Sequence, residues 1–241
     1  MKKIKNTGKR SGIRDIWWNA FMVKECRNWA EGDIPECPTA KIEIPTDLIT
    51  WVEAVRIHNK LKKQNAKYKY DAYICFYCDD YLFDGPRGIW NDYHKAIEII
   101  KHFSGIISVD FSTYKDFPTP LKVWNTYRMR AFGFWCTTQG VNVINNVRWS
   151  PDTLDICFKG IPKNSIVCLG VIASDIRKST NWPEYEKYLK LMVQELQPKI
   201  ILVYGSARYY FFKDLQAQGI VVKSYQTARN KKKAPAGDCH E

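Results

Sequence analysis

The sequence predicts an α/β fold on a mostly parallel (β/α) repeat, a TIM-type barrel or an incomplete version of one. Three observations carry this. Helical and extended signals alternate along the chain. The extended runs from residue 70 onward are apolar on both faces, as strands covered by helices on both sides must be. And 241 residues, though more than the ~150 of an average domain, fit one barrel, which runs to about 250. The alternative is an open doubly wound sheet, which requires a reversal in strand order.

Asp15 to Trp29 reads as an aromatic-rich helix, with Ile16, Trp17, Ala20, Phe21 and Val23 apolar. A Pro- and Cys-containing loop precedes the extended run KIEIP, and Thr46 is a suitable cap for a helix to about Gln64. Tyr70 to Tyr77 is a strand. A helix from Tyr93 to about Phe103 leads into a strand ending at Val109. Pro120 and Gly140 bracket a helix over 121–139, because Pro suits a first helical turn and Gly the position past the last. Strands follow at 141–147 and 165–171, separated by an irregular stretch. A helix from Thr180 to Leu196, a strand at 199–204, a helix capped by Ser206 and a last strand at 220–225 complete seven strands, KIEIP included.

Hydrophobic residues make up 45% and charged residues 26%, enough for a full core, which excludes bulk disorder. No run approaches the ~18 apolar residues of a membrane helix, and the basic start MKKIKNTGKRSGIRD has no apolar stretch behind it, so a secretory leader is not expected. Both point to the cytoplasm. The net charge of +12 is concentrated at the ends: six basic groups and no acid in residues 1–14, five and no acid in 223–237, against +3 over 15–222. The organisation expected is a basic arm (1–14), one domain (15–226) and a basic tail (227–241). Such arms bind nucleic-acid phosphates by releasing counterions, or are simply solvated. Of the eight cysteines, only Cys75 and Cys78 have ligand spacing; strand alternation separates them and no second pair exists, so no metal is expected. Neither GxGxxG nor GxxxxGK[ST] follows a strand, so nucleotide binding of either familiar kind loses support, and no cofactor is assigned.

Parallel architectures bind ligands at the carboxyl ends of their strands. There the sequence places Asp79 and Asp80, then Asp110, Ser112 and Tyr114, then Asn145, Asn146, Arg148 and Trp149, then Ser174 and Asp175, and last Ser206, Arg208 and Tyr209. Asp, Asn and Ser also favour turns and helix caps for local reasons, which accounts for Ser206, Asp84 and Asp152. Asp110, set between Val109 and Phe111, resists that account because a buried carboxylate needs a partner. Asp80 and Asp110 are therefore the candidate catalytic carboxylates, with Ser112, Asn146, Arg148, Arg128 and Arg208 as candidate substrate contacts. His58, His94, His102 and His240 form no nucleophilic or metal pair.

The blocks FYCDDYLFDGPRGIW, GIISVDFSTYKDFPTPLKVWNTYRMRAFGFW, GVNVINNVRW, FKGIPKNSIVCLGVIAS and QPKIILVYGS resemble a phage and mobile-element family, domain of unknown function 4417, over roughly residues 70–210. The resemblance implies a phage or mobile-element origin and no established reaction. Two function classes follow. One is an enzyme acting on nucleic acid or a nucleotide through the strand-end carboxylates and Arg148. The other is a non-catalytic accessory or anti-defence protein that binds DNA or a host protein.

Overall fold

The computed structural model describes residues 18–39, 41–172 and 174–231. A short antiparallel hairpin, β1 (Trp29–Ala30) and β2 (Ile34–Pro35), precedes the main sheet. The sheet runs β3 (Leu48–Thr50), β4 (Tyr70–Cys75), β5 (Phe103–Ile107), β6 (Val143–Asn146), β7 (Ile166–Gly170), β8 (Ile200–Tyr204) and β9 (Val221–Tyr225). Its seven strands lie in chain order with every neighbouring pair parallel. The order never reverses, so the doubly wound alternative falls, and the sheet curls into a half-barrel flanked by helices.

Those helices are α1 (Trp51–Leu61), α2 (Tyr93–Ile100), α3 (Thr119–Thr138), α4 (Trp182–Leu196), α5 (Tyr210–Ala217) and the short α6 (Ala228–Lys231). Strand alternation sorts the core into layers. Ala72, Ile74, Ile106 and Val143 point outward to α1–α3, and Val167, Leu169, Ile201 and Val203 outward to α4 and α5. The residues between them, including Tyr73, Cys75, Ile107, Ile144, Cys168, Leu202 and Tyr204, form an inner layer made only of strand side chains. The two sheet edges are tied together by side chains: the Tyr225 hydroxyl donates to Pro45 O (2.6 Å), and Lys231 Nζ reaches Asp47 (2.6 Å) and Leu48 O (2.9 Å). No helix among the described residues is long and apolar enough to cross a membrane.

Four sequence expectations are corrected. The helix expected over 15–29 is, from residue 18, only the 3₁₀ turn Ala20–Val23 followed by the hairpin. Asn19 sits at φ 48°, a left-handed conformation that stops a helix, and its side chain donates to Trp90 O (2.6 Å). KIEIP is not a strand: residues 41–44 are exposed coil, and Leu48–Thr50 supplies the edge strand. The following helix is capped by Thr50 rather than Thr46, through a reciprocal box in which the Thr50 hydroxyl accepts from Glu53 N and the Glu53 carboxylate accepts from Thr50 N. Likewise Ser206 makes no cap on α5.

Candidate functional site

The loops at the carboxyl ends of β4–β7 enclose a cleft of 460 Å³ lined by Asp80, Asp110, Ser112 and Arg148, a volume typical of small-ligand sites. Asp110 follows β5 and is buried. Its Oδ1 accepts from Asn146 Nδ2 (2.7 Å) and its Oδ2 from Arg148 (2.8 Å), both groups lying at or just past the end of β6. Parallel pairing of β5 with β6 brings these residues together. Asn146 is held in turn: the Tyr77 hydroxyl donates to its Oδ1 (2.9 Å), its backbone N–H donates to Ser108 Oγ (2.8 Å), and Arg130 bonds its carbonyl (3.3 Å).

A second carboxylate stands beside this chain of bonds. Asp80 Oδ2 accepts from Ser112 N (3.0 Å) and Oδ1 from Ser112 Oγ (2.7 Å). The Ser112 carbonyl accepts from Asn125 Nδ2 (2.6 Å), whose Oδ1 accepts from Arg128 (2.6 Å), and Arg128 is paired with Asp84 (2.9 Å). Asp80 and Asp110 thus each have a fixed orientation and lone pairs left for a ligand.

Burial raises the proton affinity of Asp110, and the nearby Asp80 charge adds to it, while Arg148 and Asn146 act in the opposite direction. Desolvation by itself lowers the Arg148 pKa, but the charge and hydrogen bond of Asp110, with Asp80 and Tyr114 adding to them, together outweigh it and the pKa rises. Burial lifts the Tyr77 phenol well above its ordinary range, so it stays a donor. Cys78, also on the cleft wall, is pushed up to about 12 by burial and the surrounding carboxylates; it is a thiol at neutral pH and no nucleophile. Among the described residues no group of three His, Cys, Asp or Glu is placed to hold a metal ion. Cys75 lies in the inner layer and Cys78 packs against the outer one.

Of the sequence candidates, Asp80, Asp110, Ser112 and Arg148 line the cleft, and Asn146 bonds Asp110 from behind. Two expected substrate contacts are placed elsewhere. Arg128 is buried, committed to Asp84 and Asn125, with its guanidinium 3.8 Å from the centre of the Phe111 ring. Arg208 is exposed beyond β8 and lines no part of this cleft. Asn145 points away from the cleft and donates to Cys37 O (2.8 Å). Sequence reasoning missed Tyr77 and Thr113. The Thr113 hydroxyl is buried on the cleft wall and has no hydrogen-bond partner among the described residues. A threonine after DFS carries no local signal, but its place one residue past Ser112 was available.

The basic termini fare unevenly. Residues 1–14 lie outside the described residues. In the second basic segment Lys223 belongs to β9 and Lys231 pairs with Asp47, while Lys232 and Lys233 lie outside the described residues.

The family model for a domain of unknown function, DUF4417, matches residues 30–226, extending the resemblance read from the blocks at 70–210 in both directions. A "Gene 1 protein" of Mycobacterium phage L5 is 29% identical over 168 residues, covering 69% of this chain and 68% of that protein. A "Gene 1 protein" of Mycobacterium phage D29 is 29% identical over 167 residues, covering 68% of this chain and 58% of that protein. No solved structure matches the chain.

Proposed function

The chain belongs to the DUF4417 family, which has relatives encoded by phages, and from that premise we propose that its strand-end cleft binds and acts on a nucleotide unit, free or within nucleic acid. The observation that carries the reading is the joint presence, in one cleft, of two oriented carboxylates, Asp80 and Asp110, and flat aromatic walls that include Tyr114 and Trp149. Five acids (Asp79, Asp80, Asp110, Asp175 and Glu184) line it against two bases, Lys115 and Arg148. A net negative cleft repels bare phosphate. It suits a nucleobase, whose N–H edge donates to carboxylates and whose face stacks on aromatic rings. The buried Thr113 hydroxyl supplies a further polar contact. Asp110, whose proton affinity is raised, is the group assigned to exchange a proton with the base, and Arg148 holds the carboxylate in place.

The test is binding of the common nucleosides and of short single-stranded oligonucleotides, read by titration calorimetry. D110N and D80N should each weaken binding by about tenfold or more, since each breaks a charge-assisted bond worth roughly 1.5–3 kcal/mol. Unchanged affinity in both variants would sink the reading. Oligonucleotide binding that survives both substitutions but vanishes on removing residues 1–14 would favour the second reading. In that reading the chain is a non-catalytic binder working through its terminal charge, and the six basic groups of that segment motivate it.

A further inference from the structure

A second cleft of 410 Å³ adjoins the first, and the two share Tyr77, Cys78 and Ile172 as walls. Its charge is opposite. Arg56 from α1, Arg177 from the segment between β7 and α4, and Arg229 from α6 all line it. All three are exposed, and none has an ion-pair partner among the described residues. The one acid on its wall, Glu53, is tied to the Thr50 amide and hydroxyl (2.8 Å each), which closes the start of α1. The positive field of this cleft therefore comes from side chains brought together from three distant parts of the chain. Guanidinium groups keep their charge at any physiological pH, and their planar donors match phosphate oxygens two at a time. Three of them lining one cavity against the single carboxylate of Glu53 leave it a net positive charge, which favours an anion between them. The Ser206 and Thr227 side chains on the same wall add hydroxyl groups.

We propose that this second cleft is the phosphate subsite of the nucleotide unit, holding the phosphate whose base occupies the first cleft. This rests on the reading of the first cleft given above. It also resolves the electrostatic problem there, because an acidic base pocket next to an arginine cleft divides a nucleotide by its own charge. The phosphate is that of a free nucleotide or of a nucleic-acid backbone, and the chemistry that recognises it is the same.

The experiment uses the full chain and the variant R56Q/R177Q/R229Q, whose exposed positions leave the fold intact by a thermal melt. Probes are inorganic tripolyphosphate, which has no base; a nucleoside, which has no phosphate; its 5′-monophosphate; and a short single-stranded oligonucleotide. Tripolyphosphate, the monophosphate and the oligonucleotide should each bind the variant at least about tenfold more weakly. The nucleoside should bind both proteins alike. On the oligonucleotide, losing three contacts should flatten the log–log salt slope by roughly 2, at about 0.7 per contact on a single strand. A large loss for the oligonucleotide with little for the monophosphate identifies a backbone phosphate; the reverse identifies a free nucleotide. Tripolyphosphate that fails to bind, or binds the variant undiminished, overturns the proposal. If no nucleoside binds while tripolyphosphate still depends on the arginines, the phosphate cleft stands and the reading of the first cleft falls. Should the triple variant not fold, R177Q and R229Q singly must each show a partial loss, and no loss in either overturns the proposal equally.

Discussion

Around β4–β6 the polar side chains near the strand ends are buried and bonded to one another, whereas around β7–β9 they stand in solvent. Asp110, Ser112, Asn125, Arg128, Arg130 and Asn146 are all buried, as is Lys122 in the same helix as Arg128 and Arg130. Past Ser165 no described residue is a buried polar or charged one. The helices differ in the same way. α4 buries Tyr185, Tyr188, Leu189, Met192 and Leu196, one apolar stripe of an ordinary amphipathic helix. α3 buries a lysine, two arginines and an asparagine among its apolar residues, because β2, β6 and two 3₁₀ turns cover it on several sides. A buried hydrogen-bonded network costs desolvation and in return holds its members at one geometry. Exposed arginines cost little to the fold and act through a field that salt screens. The first region is therefore built to orient groups, the second to attract charge.

The largest expected effect contrasts two arginines. Arg130 is 1% exposed and donates to three backbone carbonyls, of Lys159, Asn146 and Cys157. Burial without a carboxylate partner lowers its pKa to about 10, so it remains charged at neutral pH. Arg130→Ala leaves those carbonyls unpaired around a large cavity and should cost about 3–5 kcal/mol of stability by urea unfolding. Arg208→Ala, on the exposed side, should stay within about 0.5 kcal/mol. Equal losses would break the comparison.

A smaller effect is expected where the two regions meet. A Cβ on Gly170, at the end of β7, would lie far inside contact distance of the Tyr77 ring. Gly170→Ala should lower stability by about 1–3 kcal/mol through overpacking. By tilting Tyr77 it should also loosen Asn146 and Asp110 and weaken nucleoside binding. A destabilised variant that binds with full affinity would show that the Tyr77 hydroxyl does not help orient the carboxylate.

The smallest effect is a pH dependence. His58 is bonded to the Tyr68 hydroxyl (2.9 Å), with the His102 ring 5.2 Å away. Burial lowers its pKa, helped by His102 and Lys62 and opposed by Glu98. The folded state thus binds this proton less readily than the unfolded chain. Stability is complete above the unfolded value of about 6.5 and declines as pH falls through it towards the lower folded value. Melting temperatures at about pH 7 and pH 5 should show that decline, and His58→Gln should reduce it. An undiminished decline in that variant would move the titration to other groups.

Much of the site was legible because parallel architectures put loops and ligands at one end of the strands, and apolar strands mark where those ends fall. Asp110 was singled out because a carboxylate between Val109 and Phe111 must be buried and partnered. Arg148 and Asn146 were legible for the same reason, at the end of the neighbouring strand. The placement of Arg128 was not legible, because nothing local says that Asp84 waits 44 positions away.

The sequence by itself determined the parallel pairing, the strands from β4 onward, the start of α3 near Pro120, and the rim on which Asp80, Asp110, Asn146 and Arg148 meet. These follow from local pattern: apolar runs, proline positions and strand ends. Thr50 and Glu53 carried an equally local signal, the capping box, which outranks Thr46 because it satisfies two amide groups instead of one. Only the tertiary structure decided that Asn19 turns left-handed to reach Trp90, that Lys231 closes the half-barrel on Asp47, and that Arg56, Arg177 and Arg229 face one cleft. Each of these joins residues far apart in the chain, where the energy comes from partners that no local pattern names.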